Sequence, residues 1–377
     1  MKKNPVERFV ANMIKHSDHF HGSDLEMIEK VYGIKKEDII SFSANVNPLG
    51  ISPKLKATLA ERIDSIMSYP DREYTSLRKC IAEYVHTDME NILVGNGSTE
   101  LISLFIQIKH PGKALIIGPT YSEYEREVSL GGGTTRYYRL EEEKNFALDI
   151  HALQEELTDD MDLLVICNPN NPTSSAITRS DMRKILDICK QKGIFVMVDE
   201  TYVEFAEDVL KITSAPLTGY YNNIIILRGI SKFFAAPGLR LGYAICGNQD
   251  LLKEINQRKN PWTINSLAAI AGELMFTDEE YIRATRTLIA GERDRICRIL
   301  DSCKNIQYFT PTANFILLKL LKEEVTSMDV FEAAIRKGLM IRDCSTFPFL
   351  SNKFIRFCFM TPERNDALLE VVLEAVR

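Results

Sequence analysis

A lysine follows an apolar run in the segment from Ile224 to Tyr243, IIILRGISKFFAAPGLRLGY. The β-branched residues at its start predict a buried strand, and Lys232 comes shortly after that strand ends. Open α/β sheets bind their ligands at the carboxyl ends of the strands, so Lys232 is predicted to face such a crevice. A partly desolvated lysine loses its charge more easily and can attack a carbonyl group to form a Schiff base. For this residue taken alone, a solvated surface lysine is the alternative.

Four other predicted strands also end in polar residues. These are Gly97, Ser98 and Thr99 after Ile92–Val94, Tyr121 after Ala114–Ile117, Asn171 after Leu163–Ile166, and Asp199 and Tyr202 after Ile194–Val198. Helical patterns separate the strands, and this alternation predicts an α/β fold with a mainly parallel sheet and helices on both faces. Since the carboxyl ends of parallel strands lie at one edge of the sheet, these residues are predicted to gather near Lys232.

The residue types at these strand ends suit a pyridine ring that carries an aldehyde and a phosphate. Lys232 supplies the amine for the aldehyde, and Asp199 can keep the ring nitrogen protonated so that the ring accepts electrons. Asn171 and Tyr202 can donate to the ring hydroxyl oxygen, while Tyr121 can stack on the ring face. The phosphate can be held by Ser98, the backbone N–H groups of Gly97 to Thr99, Ser231 and Arg240. Taken singly, Asp199 and the glycine-rich turn also fit helix caps, and Tyr202 also fits a half-buried core ring.

The order Asn171-Pro172-Thr173, Asp199 with Tyr202, Ser231-Lys232 and Arg240-Leu241-Gly242-Tyr243 resembles the fold-type-I aminotransferases. The resemblance covers nearly the whole chain and implies pyridoxal 5′-phosphate (PLP) as the cofactor. It also implies a homodimer with shared active sites, in which Tyr69 reaches the cofactor phosphate of the neighbouring subunit. Ser174 departs from the family, which usually has glycine there, and we expect this to alter only the turn.

Two branches of that family compete. His21-Gly22, the stretch FSANVNPLG with Asn45, and Ile341-Arg342-Asp343-Cys344 resemble the threonine-phosphate decarboxylases of cobalamin biosynthesis. In that branch the residues corresponding to His21, Gly22, Asn45, Asn171, Arg342 and Arg356 contact the phosphorylated amino acid. Here Ser23-Asp24 follows His21-Gly22 in place of the usual Gly-Asn. The other branch, histidinol-phosphate aminotransferase, would transfer an amino group from a phosphorylated amine to 2-oxoglutarate.

The two small-domain arginines have physical reasons to bind anions. Each guanidinium offers a rigid fork that suits a carboxylate or a phosphate, although either residue alone could be a surface arginine paired with an acidic neighbour. A third interpretation, from a different class of protein, is a non-catalytic domain of this fold that serves as the ligand sensor of a regulator. A DNA-binding module would then be expected on the chain, and none is visible.

The bulk composition is that of an ordinary globular protein: 377 residues, 45% hydrophobic, 26% charged, with net charge −6. No basic patch suggests nucleic acid, no apolar window approaches about 18 residues, and the N-terminus lacks the apolar core of a signal peptide. Eight scattered cysteines without a Cys-x-x-Cys pair suggest reduced thiols and a cytoplasmic location. No metal site is expected, since His16, His19 and His21 lack matching partners.

We predict an N-terminal arm (1–45), a large cofactor-binding domain (46–265) and a small α+β domain (266–377).

Overall fold

A computed structural model describes residues 24–377 of the chain. Its strands are β1 (Ile40–Ser41), β2 (Ile92–Gly95), β3 (Lys113–Gly118), β4 (Thr134–Arg139), β5 (Leu163–Cys167), β6 (Phe195–Asp199), β7 (Ile224–Gly229), β8 (Gly242–Ile245), β9 (Ile306–Tyr308), β10 (Phe315–Leu320), β11 (Leu339–Met340), β12 (Arg342–Asp343) and β13 (Phe354–Cys358). Its α-helices are α1 (Leu25–Tyr32), α2 (Pro53–Glu61), α3 (Thr75–Val85), α4 (Gly97–Lys109), α5 (Glu123–Leu130), α6 (Ile150–Glu156), α7 (Arg179–Gln191), α8 (Val209–Ile212), α9 (Gln249–Arg258), α10 (Ser266–Met275), α11 (Glu279–Leu300), α12 (Ser327–Ile335) and α13 (Pro362–Ala375).

A seven-stranded sheet in the order β2-β8-β7-β6-β5-β3-β4 forms the centre of the molecule. The strands from β7 to β4 run parallel, and β8 runs antiparallel to both of its neighbours. Every residue of β5, β6 and β7 is buried, as expected for strands covered on both faces. The predicted class, a mainly parallel sheet with helices on both faces, is therefore confirmed.

Two separate apolar layers cover the sheet because successive strand residues point to opposite faces. In β5, Leu164 and Ile166 join one layer, which also contains α3, α7 and α10. Leu163 and Val165 join the other layer, together with α4, α5 and α9. The central strands are thus held from both sides, and their carboxyl ends are placed rigidly at one edge.

The C-terminal region has its own antiparallel sheet in the order β12-β13-β10-β9. The sequence predicts strand-like segments at 314–320, 339–342 and 353–359, which correspond to β10, to β11 with β12, and to β13; it predicts no strand at β9. The short strand β1 pairs in parallel with β11, so that Ile40 lies opposite Leu339. The end of the segment predicted as an N-terminal arm therefore contributes a strand to the C-terminal region.

Some predicted helix boundaries differ from the structure. The sequence predicts a helix over about 53–66, whereas α2 ends at Glu61 and a 3₁₀ turn at Ile63–Met67 follows it. More importantly for the site, the sequence predicts the helix after the glycine-rich turn at 101–108, whereas α4 begins at Gly97. No helix within residues 24–377 is long and apolar enough to cross a membrane.

Candidate active site

The first turn of α4 lies directly after β2 and contains Gly97, Ser98 and Thr99. The first backbone N–H groups of a helix have no partner inside the helix, and the helix dipole adds a partial positive charge there. Because α4 begins earlier than predicted, these three residues belong to the helix terminus itself. This terminus therefore has the properties of an anion-binding site.

Two glycines let the chain close tightly around this helix terminus. A Cβ atom on Gly242 would lie 2.4 Å from the backbone nitrogen of Ser98, so only glycine allows β8 to approach α4 this closely. A Cβ on Gly97, whose φ is +78°, would lie 2.5 Å from Nη2 of Arg240. The Arg240 guanidinium thus packs against the first turn of α4. The helix dipole, the N–H groups of the first turn and the Arg240 guanidinium together suit a phosphate group.

Asp199 lies at the carboxyl end of β6 and is 5% exposed. Its carboxylate accepts hydrogen bonds from the Tyr124 hydroxyl at 2.7 Å and from the Thr201 backbone N–H at 2.9 Å. Burial raises the pKa of the Asp199 carboxyl, and within residues 24–377 no cation pairs with it. A protonated pyridine nitrogen would supply the missing positive charge, so the donor set fits the ring that the sequence predicts.

Lys232 follows β7 and points its Nζ at the carbonyl oxygen of Ala44, 2.6 Å away. Burial and the positive charges of Arg356 and Arg240 lower the pKa of its ammonium group to about 8. A lysine with such a pKa is partly neutral near physiological pH, which is the form that attacks an aldehyde.

Tyr202 and Asn45 lie in contact beside this lysine. The Asn45 amide donates to the Tyr202 hydroxyl at 3.4 Å, and burial raises the pKa of that hydroxyl to about 12. Asn45 is 1% exposed, and its Oδ1 has no hydrogen-bond partner in the described residues. A buried acceptor without a partner is costly in a folded protein, so this oxygen is a candidate contact for a ligand donor. Tyr121 packs edge-on against Tyr124 with ring centroids 5.6 Å apart.

Arg356 extends from β13 across to the loop that follows β5. Its Nη1 donates to Oδ1 of Asn171, and its Nη2 donates to the Ser43 carbonyl at 2.6 Å. The guanidinium lies over the Phe315 ring, 5.2 Å from the centroid. It is 4% exposed, and its Nε has no acceptor in the described residues. A buried guanidinium with an unused donor is poised to bind an anionic ligand.

Arg342 lies directly opposite Arg356 in the pairing of β12 with β13. Side chains of opposed residues in an antiparallel pair project from the same face, so the two arginines share one side of the small sheet. Arg342 donates to Oγ1 of Thr346 at 3.0 Å and lies over the Phe347 ring. Burial and the charge of Arg356 lower the pKa of Arg342. Two cations held this close favour a ligand with negative charge.

The structure brings most of the predicted site residues together around Lys232, but not all of them. Tyr69 is 80% exposed, and its ring packs against that of Trp262 with the centroids 4.8 Å apart. Ser231 is partly buried and precedes Lys232 in the chain. His21 and Gly22 lie outside the described residues.

Some residues of the site were not predicted from the sequence. Tyr124 and Thr201 hold the Asp199 carboxylate, and the carbonyls of Ser43 and Ala44 accept from Arg356 and Lys232. Thr201 follows Asp199 by two residues, which is the spacing of an Asx turn and could have indicated its contact. Nothing in the sequence indicates that Tyr124 reaches β6.

This fold and site define an α/β enzyme that binds a phosphorylated pyridine aldehyde. The chain belongs to the aminotransferase class I and II family, whose model matches residues 37–372. The family uses PLP, which confirms the predicted cofactor. A solved histidinol-phosphate aminotransferase from Sinorhizobium meliloti in complex with PLP shares the fold, with a TM-score of 0.83 over 100% of this chain and 98% of that chain at 19% identity.

Relatives with both predicted activities match the chain. A Caldanaerobacter subterraneus protein, named provisionally as a threonine-phosphate decarboxylase, is 38% identical over 87% of this chain and 88% of its own length. The threonine-phosphate decarboxylase of Salmonella typhimurium is 31% identical over 93% of this chain and 94% of its own length. The solved histidinol-phosphate aminotransferase of Clostridium acetobutylicum is 32% identical, with a TM-score of 0.82 over 89% of this chain and 98% of that chain.

Proposed function

We propose that this protein decarboxylates a small phosphorylated amino acid, L-threonine O-3-phosphate or a close relative such as serine phosphate. The observation that carries the proposal is the pairing of Arg342 with Arg356 on one face of the small sheet. Two guanidinium groups side by side suit a substrate that carries both a carboxylate and a phosphate. The 38% identity to a protein named as a threonine-phosphate decarboxylase supports the same choice.

The proposed roles of the residues follow from their placement. The first turn of α4 with Arg240 would hold the cofactor phosphate, and Asp199 would keep the ring nitrogen protonated. When bound, PLP supplies an electron-accepting ring for the substrate amine. Lys232 would bind the aldehyde and exchange protons at the substrate Cα, as its lowered pKa permits.

The same residues can also set which bond of the substrate breaks. Arg356 and Asn171, already in contact, would fix the direction of the substrate carboxylate. The direction that they give the carboxylate would decide whether its bond to Cα breaks and carbon dioxide leaves, or the Cα–H bond breaks and amino transfer follows.

The alternative function is amino transfer from a phosphorylated amine such as histidinol phosphate to 2-oxoglutarate. It is supported by the 32% identity and TM-score of 0.82 to the enzyme from Clostridium acetobutylicum. Such an enzyme also binds two kinds of anion in turn, a phosphate and a carboxylate. The paired arginines would then bind the two anions in separate half-reactions, whereas threonine phosphate carries both groups in one molecule.

One assay separates the two functions. The purified protein with PLP is given L-threonine O-3-phosphate and no keto acid, with the Lys232→Ala variant as the inactive control. Continued release of carbon dioxide, with the phosphorylated amine as product, is the expected result. Transfer of one amino group per site, which continues only after 2-oxoglutarate is added, would identify an aminotransferase and refute the decarboxylase. A lack of any reaction would refute threonine phosphate as the substrate.

We further propose that the active protein is a homodimer in which Tyr69 completes the site of the neighbouring subunit. Three neighbouring side chains support this: Ile66, Met67 and Tyr69 are 63%, 82% and 80% exposed. With Trp262 they form an apolar patch, which monomers rarely leave in water. An exposed tyrosine in such a patch can reach a partner but has no role in its own crevice.

A further inference from the structure

Ser174 is fully buried and has a left-handed backbone, with φ at 60°. This conformation is strained for residues other than glycine, which adopts it without steric cost. A serine is therefore an expensive choice at this position unless its side chain makes a compensating contact. The contacts below show that Ser174 does more than alter a turn.

The Ser174 hydroxyl joins two distant parts of the chain. Its Oγ accepts hydrogen bonds from the backbone N–H groups of Thr312, at 3.0 Å, and Ala313, at 2.8 Å. The Thr312 N–H also donates to the Ser174 carbonyl at 3.1 Å. The backbone N–H of Ser174 donates to the Asn170 carbonyl at 2.7 Å. The loop after β5 is thereby tied to the segment just before β10.

The same segment is also held from its other side. Nη2 of Arg293 donates to the carbonyls of Thr312 and Ala313, both at 3.0 Å, and to the carbonyl of Phe205 at 2.7 Å. The Asn314 amide donates to the Asn45 carbonyl at 3.0 Å. Residues 312–314 are therefore held by the loop after β5 through their N–H groups, by Arg293 of α11 through their carbonyls, and by Asn45 through one side chain.

This anchor lies close to the contact between Arg356 and Asn171. The strand β10 begins immediately after residues 312–314 and pairs with β13, where Leu317 lies opposite Arg356. On the other side, Ser174 is three residues from Asn171 in the same loop. The Ser174 hydroxyl is thus one of the contacts that connect the strand pair carrying Arg356 to the loop carrying Asn171.

We propose that Ser174 is a positioning residue whose hydroxyl sets the placement of Arg356 against Asn171. It thereby orients the carboxylate of the substrate. The inference rests on the proposed function only in that the substrate carries a carboxylate. Loss of the hydroxyl leaves the buried Ala313 N–H without its partner and frees the small sheet to shift relative to Asn171.

The test measures binding to the PLP-loaded protein by titration calorimetry. The first probe is 3-phosphoglycerate, which has a carboxylate and a phosphate but no amine, and the second is 2-oxoglutarate, which has carboxylates alone. Ser174→Gly removes the hydroxyl and relieves the strain, whereas Ser174→Ala removes the hydroxyl and keeps the strain. Ile316→Val is the matched control, because it trims buried β10 without removing a polar contact.

We expect both Ser174 variants to bind the probes about fivefold more weakly, with Ile316→Val unchanged. PLP affinity, measured by equilibrium dialysis, should stay unchanged in all three. The proposal is overturned if both Ser174 variants keep full affinity, if only Ser174→Ala loses it, if Ile316→Val loses as much, or if PLP affinity falls in parallel. If the wild-type protein binds 2-oxoglutarate but not 3-phosphoglycerate, the proposal of a phosphorylated substrate is refuted, and the role of Ser174 is tested with 2-oxoglutarate. If the wild-type protein binds neither probe, the proposed substrate class and the proposed role of Ser174 are both refuted.

Discussion

The amine of Lys232 should titrate far below the ordinary range of lysine in the protein without cofactor. Burial is the largest cause, and the charges of Arg356 and Arg240 add to it, so the pKa falls from 10.5 to about 8. The difference disfavours the ammonium form by about 3 kcal/mol. At pH 7 about one amine in ten is then neutral, against about one in 3,000 for an ordinary lysine.

Competitive labelling measures this pKa directly. The apoprotein is treated with trace acetic anhydride at a series of pH values, and the acetylation of the Lys232 peptide is measured by mass spectrometry. Only the neutral amine reacts, so labelling should rise with pH and reach its midpoint near 8. Free Nα-acetyl-lysine in the same tube calibrates the reagent.

Two variants test the cause of the shift. Arg356→Met removes a positive charge near the amine, so the midpoint should move up towards the ordinary value of lysine. Most of the shift should remain, because burial is the larger cause. Arg298→Met, on the exposed side of α11, is the control and should change nothing. A wild-type midpoint near 10.5, or no difference between the two variants, would refute this account.

Three further predictions concern the cofactor, the substrate and the assembly. Tyr124→Phe removes the 2.7 Å hydrogen bond to the buried aspartate of the site, and equilibrium dialysis should show PLP binding weakened about tenfold; unchanged binding would mean that this contact is dispensable. Arg342→Ala and Arg356→Ala should each weaken binding of threonine phosphate by roughly 2–5 kcal/mol in calorimetry, and normal affinity in both would place these arginines outside the substrate site. Met67→Glu should dissociate the dimer in sedimentation and abolish activity, whereas Tyr69→Phe should keep the dimer and lower activity; a fully active monomer would contradict the shared site.

The central sheet and the cofactor residues could be predicted from the sequence because their signals are local. A buried strand reads as a continuous apolar run, and the polar residues that follow it mark its carboxyl end. Parallel strands place those ends together whatever the details of packing, so Asn171, Asp199 and Lys232 could be assigned to one crevice. The strands β4, β8 and β9 were missed. β4 and β9 lie at sheet edges, and β4 is largely exposed, so neither has such an apolar run. β8 is buried inside the sheet, but it has only four residues and begins with the glycine that follows Arg240 and Leu241.

The contacts between these residues were decided only by the tertiary structure. The opposition of Arg342 and Arg356 depends on strand register, which is set by the pairing of β12 with β13 across an intervening loop. Tyr124 reaches Asp199 because α5 packs on one particular face of the sheet, and no local pattern encodes that distance. Ser174 reads in sequence as a turn residue, and its partner Ala313 lies 139 positions away. The residue types at the strand ends are thus a local property of the chain. The residues that they contact depend on how distant elements pack together.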